Sequence, residues 1–136
     1  MSDAIVYLDS SALIKLIFEE PETSSLAQFL AAWTARASSS LAKVEVLRTA
    51  QLVDDATVTS HARHMLSRVH LIRPDEVLLE ASTRVGPRSL RALDAIHLAT
   101  ALSLGSELAG VVAYDRRLAS AARDAGLTVW APAGSR

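Results

Sequence analysis

The sequence contains no cysteine among its 136 residues, which removes disulfides and thiolate zinc sites and leaves oxygen and imidazole as the ligands for any metal. Donors of that kind favour hard cations such as Mg²⁺ or Mn²⁺. No uninterrupted apolar run approaches the ~18 residues that a membrane span needs, although half of the residues are hydrophobic. Nor does Met1-Ser2-Asp3-Ala4 carry the basic segment and long apolar region of a secretory signal, so a soluble, cytoplasmic protein is expected. A strong charge of one sign is missing too. The formal net charge is -1, which argues against a broad basic surface for tight, sequence-independent nucleic-acid binding, though not against a local patch. Lysine is scarce: only Lys15 and Lys43 occur, and the other basic side chains are arginines, whose planar fork suits bidentate contacts to phosphate or carboxylate. A genome rich in G and C would give the same bias.

No internal repeat, low-complexity tract or linker divides the chain. Its length fits one domain that buries roughly two-thirds of its unfolded surface around a single core, with boundaries expected at 1–131 and a disordered tail over 132–136. Strands and helices alternate. The run Ile5-Val6-Tyr7-Leu8 reads as a buried strand, and Asp9-Ser10-Ser11 supplies capping chemistry for a helix through Leu13 and Ile14. A second helix carries Leu26, Phe29, Leu30 and Trp33, with Thr23-Ser24-Ser25 as its cap, and Arg36 to Ser40 forms at most a short strand. Leu41, Val44, Leu47 and Leu52 describe an apolar stripe over 41–53, and Asp54-Asp55 opens the next helix. Strands are then expected at 70–73, 111–114 and 127–130, separated by helices over 76–85, 90–104 and 116–125. This alternation implies a parallel sheet covered on both faces.

Four acids stand out. Asp9 and Asp115 each follow a strand, and if those strands are neighbours their carboxylates share the crevice at the carboxyl edge of the sheet. Glu45 and Asp94 fall within apolar helical segments, where an unpaired charge is expensive; Asp94 has Leu90, Leu93 and Leu98 near its face. The plain readings are a helix cap for Asp9 and an internal ion pair with Arg48 or Arg91 for the other two. Convergence of all four has a different consequence, because each close pair would repel by roughly 4 kcal/mol at an effective dielectric near ~20. Such a cluster needs a cation. Mg²⁺ and Mn²⁺ take one or two carboxylates directly, polarise a phosphoryl oxygen and activate water, which is the logic of metal-dependent phosphodiester hydrolysis.

Taken together and in this order, Tyr7-Leu8-Asp9-Ser10-Ser11-Ala12-Leu13, Val44-Glu45-Val46-Leu47, Leu93-Asp94-Ala95-Ile96-His97-Leu98-Ala99 and Tyr114-Asp115-Arg116-Arg117-Leu118 resemble the PIN-domain ribonucleases, specifically the VapC-like toxins of bacterial toxin–antitoxin pairs. The resemblance runs through Trp130, nearly the whole chain. It implies an α/β three-layer sandwich around a mostly parallel sheet of four to five short strands. It also implies that Asp9, Glu45, Asp94 and Asp115 form an acidic tetrad for Mg²⁺ or Mn²⁺, with Asp9 and Asp94 the most direct ligands. RNA is the implied substrate, a small antitoxin protein that blocks the acidic crevice the implied partner, and a homodimer the implied assembly. One departure is Ala113, where many relatives carry Thr or Ser, which puts a second metal position in doubt; Ser10 and Ser11 either compensate or cap the first helix.

Arg91, Arg116 and Arg117, with Arg84 and Arg88, flank the acids and are candidates, together with Ser10, for contacts to an RNA backbone; a solvated surface is the alternative. His97, on a mostly apolar helix, reads as a packing residue before a ligand, and His61 and His64 as solvated. Several other chemistries lack a required residue. No Gly-x-Ser-x-Gly elbow surrounds the serines, no lysine follows Lys43 to serve a phosphorelay receiver, and Ser11 stands where a haloacid-dehalogenase-type phosphotransferase needs a second aspartate. A PIN-like module without catalysis, acting only as a binding partner, also fits the sequence; replacing Asp9 would then leave its cellular effect intact.

Overall fold

The computed structural model describes residues 4–133. Strand β1 (Ile5–Leu8) is the central strand of a five-stranded sheet ordered β3-β2-β1-β4-β5, in which every pairing is parallel. Its partners are β2 (Ala35–Ser39), β3 (His70–Ile72), β4 (Leu108–Val112) and β5 (Val129–Trp130). The central place explains the continuous apolar run: Val6 and Leu8 are buried on one face and Tyr7 on the other. One face is covered by α1 (Ser10–Lys15), α2 (Thr23–Leu30), α3 (Leu41–Gln51) and α4 (Ala56–Ser67), through Leu13, Leu26, Leu30, Val46, Leu47 and Leu66. The other is covered by α6 (Ala92–Ser103) and α7 (Arg116–Asp124), through Leu98, Leu118 and a run of alanines, with α5 (Glu76–Ser82) packed along α6. The expected three-layer sandwich is therefore present. The chain winds outward from β1 through β2 to β3, then returns to the other side of β1 to form β4 and β5, so the direction of winding reverses between β1 and β4. Crevices open at the carboxyl ends of strands at such a reversal.

Several elements depart from the sequence reading. Helix α6 starts at Ala92 rather than Leu90, because Pro87 to Leu90 close a separate turn, with Leu90 N–H donating to Pro87 O at 2.9 Å, and Arg91 is extended. Asp94 therefore sits in the first helical turn, not inside the helix. Strand β4 ends at Val112, so Asp115 lies beyond the strand as the cap of α7. On α3, Val44 and Leu52 are 55% and 85% exposed, and the buried row is Ala42, Val46, Leu47 and Ala50. The expected stripe shares only Leu47 with that row, because alanines, which a stripe drawn through large side chains passes over, form half of the packed face. Thr23 does not cap α2; its hydroxyl donates to Lys15 O and accepts from Glu20 N–H, closing the loop between α1 and α2.

Strand β5 is pinned by an aromatic cluster of Phe29, Trp33 and Trp130, with ring centroids 5.1 to 6.1 Å apart. Gly110 on β4 lies under Trp130, where a Cβ would come within 2.5 Å of the indole. Tyr114 donates its hydroxyl to Pro132 O at 2.6 Å; of the tail expected at 132–136, residues 134–136 lie outside the described residues. Among the described residues no helix is long and apolar enough to cross a membrane.

Candidate acidic site at the carboxyl ends of the strands

Asp9 follows β1 and caps α1, its Oδ1 accepting from Ala12 N–H at 2.9 Å and from Ser11 Oγ at 2.7 Å. Asp115 plays the same part for α7, its Oδ1 accepting from Arg117 and Leu118 N–H at 2.9 and 3.0 Å. Both caps use Oδ1 alone. The two ends are tied together, since Asp9 N–H donates to Val112 O at 3.2 Å and Tyr114 N–H donates to Ser11 Oγ at 3.1 Å. Capping and placement at the crevice are thus the same structural fact, because each helix N-terminus begins where a strand ends.

Asp9 is 2% exposed, and burial pushes its carboxyl up to about 6 against the hydrogen bonds from Ser11 and Ala12, with Asp115 adding to the rise. Asp94, half-buried, is also raised, first by burial and then by the charges of Asp115 and Glu45, with Arg91 and His97 opposing. Glu45 moves the other way. Its Oε1 accepts from Ser10 Oγ and lies 3.4 Å from His97 Nε2, and the bond to His97 above all holds it below the usual carboxylate range.

Glu45, Asp94 and Asp115 line one cavity of about 620 Å³ with Arg91, Arg116 and Arg117, so three predicted acids and three predicted arginines share it, from α3, α6 and α7. Asp9 is buried off its lining and feels the charge of Asp115. The ion pairs expected with Arg48 or Arg91 do not form; among the described residues neither Asp9, Asp94 nor Asp115 carries one. Nor do three of these groups meet closely enough to hold an ion among the described residues. Each acid is held locally: Asp9 and Asp115 cap their own helices through Oδ1, and Ser10 and His97 hold Oε1 of Glu45. A hard divalent cation fits the donor chemistry, which is all oxygen, with Asp9 and Asp94 raised by burial and by neighbouring carboxylates and no arginine or lysine paired to either.

Ala113 is buried in the apolar cluster beneath α6 and α7, while Ser11 ties Asp9 to the chain leading to Asp115. Ser10 is 8% exposed with its hydroxyl held by Glu45 and His97. His97 is buried and fully partnered, as a packing residue should be, yet its partners belong to the site. Sequence reading placed Tyr7 in the buried strand but gave it no part in the site, and did not foresee that Ser11 bridges the two strand ends. The available signal was a lone aromatic in an aliphatic strand and a second serine after the aspartate.

The family described as PIN domain matches residues 6–124. Ribonuclease VapC46 of Mycobacterium tuberculosis is 42% identical over 129 residues, 95% of this chain and 98% of that one. Ribonuclease VapC47 of the same species is 36% identical over 136 residues, 97% and 100% of the two chains. Among solved structures, M. tuberculosis VapC20, a sarcin-ricin loop cleaving toxin, superposes with a TM-score of 0.72 at 15% identity, covering 90% of this chain and 96% of that one. A chain of a toxin-antitoxin complex from Klebsiella pneumoniae gives 0.67 at 24% identity, covering 84% and 90%. At those identities the two structures speak for the fold.

Proposed function

The chain belongs to the PIN domain family, and on that premise we propose that it is an endoribonuclease using Mg²⁺ or Mn²⁺, the toxin of a toxin–antitoxin pair. The observation that carries the reading is the cavity itself: three carboxylates at its floor have no arginine or lysine paired to them among the described residues, and three arginines stand beside them. The ribonuclease names of relatives matched over nearly their full length support the reaction.

In this reading Arg91, Arg116 and Arg117 take the phosphates on either side of the scissile bond, which positions the strand without reading its sequence. Asp9 and Asp94 would hold the cation, with Asp115 and Glu45 completing the negative charge around it. When bound, the cation supplies Lewis-acid polarisation of the phosphoryl group and makes water a better nucleophile. Glu45, kept ionised by His97 and Ser10, accepts the proton of the attacking water as its oxygen bonds to phosphorus, while the bond from phosphorus to the ester oxygen breaks and that oxygen leaves with a proton taken from solvent water. A cytoplasmic location, a homodimer and a small antitoxin that covers the cavity are the corresponding expectations from the family resemblance.

The test is cleavage of single-stranded RNA by the purified full chain. Activity with Mn²⁺, its loss in EDTA, and a loss of at least ~100-fold in Asp94→Asn are expected. Undiminished turnover in EDTA refutes the metal-dependent mechanism. Growth arrest that survives Asp9→Asn without any RNA cleavage favours the binding-module reading instead.

A further inference from the structure

Beneath the cavity runs a buried polar chain that joins four elements. Tyr7 on β1 places its hydroxyl 2.7 Å from His97 Nδ1, and their rings meet edge to face with centroids 5.8 Å apart. On the far side of the imidazole, Nε2 lies 3.1 Å from Ser10 Oγ and 3.4 Å from Glu45 Oε1. Ser10 in turn donates to Glu45 Oε1. Protons can be assigned along this chain by counting donors. A serine hydroxyl has one hydrogen, and Ser10 gives it to Glu45, so toward His97 it can only accept. Nε2 must therefore carry a hydrogen. Tyr7 is fully buried, and burial pushes its phenol further above neutrality, so it keeps its proton; in the neutral ring, with the one hydrogen already on Nε2, Nδ1 is the acceptor that faces it at 2.7 Å.

From this geometry we propose that His97 is a positioning residue: fixed by Tyr7 as the Nε2–H tautomer, it holds Ser10 and Glu45 so that the Glu45 carboxylate is presented at the acidic cavity. His97 is 3% exposed and does not line the cavity, which separates it from the groups that would touch a cation or RNA. Helix packing alone gives no reason for a fully partnered imidazole among Leu98, Ala99 and Ala101, where an aliphatic side chain would serve. The surroundings add to the point. The Ser38 hydroxyl lies beside the Tyr7 phenol without a partner of hydrogen-bond geometry, and Thr100 and the Ser39 backbone also neighbour the phenol, whose 2.7 Å contact is with His97 Nδ1.

The proposal rests on Glu45 being part of the working site, and its test separates the two. In the metal-free protein, ¹⁵N chemical shifts of His97 read the tautomer, and the side-chain carboxyl ¹³C signal of Glu45 reports its bonding. The expected result is a protonated Nε2 with a bare, hydrogen-bonded Nδ1, and a Glu45 signal that moves in Tyr7→Phe, which keeps the ring and removes only the hydroxyl. A protonated Nδ1, or a Glu45 signal indifferent to Tyr7→Phe, overturns the proposal whatever the protein binds. The second arm is a double-mutant cycle on Mn²⁺ affinity by calorimetry. Tyr7→Phe and His97→Gln should weaken Mn²⁺ binding roughly 10-fold, the lower end for groups that orient metal ligands, and have no such effect in a Glu45→Gln background. Equal weakening in both backgrounds, with unchanged melting temperatures, would mean that His97 does not act through Glu45. If the wild type binds no Mn²⁺, the metal-dependent reading fails, and the tautomer and the Glu45 signal alone decide the proposal.

Discussion

Replacing Asp9 by asparagine preserves the side chain's shape and its Oδ1, so Ala12 N–H and Ser11 O–H keep their acceptor while the buried charge disappears. Burial moves the carboxyl from 3.8 to about 6, and at ~1.4 kcal/mol per unit the ionised form costs the folded protein about 3 kcal/mol at neutral pH. Because the folded value is the higher one, the native state binds the proton more tightly than the unfolded chain. Stability associated with Asp9 is therefore complete below about pH 4 and is lost as pH rises through about pH 6. The asparagine amide brings a donor without an evident partner, which offsets about 1 kcal/mol. The net expectation is a gain of about 2 kcal/mol near neutrality, or roughly 6 °C in Tm for a chain of this size, shrinking to less than about 1 kcal/mol near pH 5. Circular-dichroism melts in EDTA at the two pH values measure it directly. Added Mg²⁺ should raise the wild-type Tm and leave the variant nearly unmoved, since a ligand stabilises only the state that binds it. An asparagine variant less stable than wild type in EDTA, or a difference that does not change with pH, refutes the reasoning.

Arg116→Ala with Arg117→Ala should weaken RNA binding and lower the slope of log affinity against log salt by about 0.7 for each phosphate that is no longer neutralised, read by fluorescence anisotropy; an unchanged slope removes both from the RNA path. Ser11→Ala removes the donor to Asp9 and the acceptor of Tyr114 N–H at one stroke, so it should cost about 1–3 kcal/mol in urea unfolding and raise the Asp9 carboxyl further. Gly110→Ala drives a Cβ to 2.5 Å from the Trp130 indole, with Thr128 O at 2.9 Å, and should cost about 1–3 kcal/mol, visible as a lowered Tm and altered tryptophan fluorescence. A wild-type Tm in this last case would mean that β5 shifts without cost.

Alternation and period were enough to read the α/β class, because a strand buried on both faces must be apolar throughout and a covering helix must not be. Ile5 to Leu8 and the alanine- and leucine-rich stretch after Asp94 carry that signal on their own. Element ends were less legible. Whether Leu90 joins α6 depends on the turn from Pro87, and whether Tyr114 joins β4 depends on where the neighbouring strand stops, neither of which is a property of local composition.

The acids divide in the same way. Their identity and order are written in the chain, and so is the absence of thiolate ligands. Tertiary structure decided that β1 and β4 are neighbours, so that Asp9 feels the charge of Asp115 across more than a hundred residues, and that Asp94 opens its helix instead of lying inside it. It also decided that Glu45 answers to a histidine on another helix, a bond between residues 52 apart in sequence. Sequence determines which groups can carry charge and which segments must be buried, since those follow from side-chain chemistry and local period. Which charges meet follows from strand order, and strand order is chosen by the packing of the whole chain.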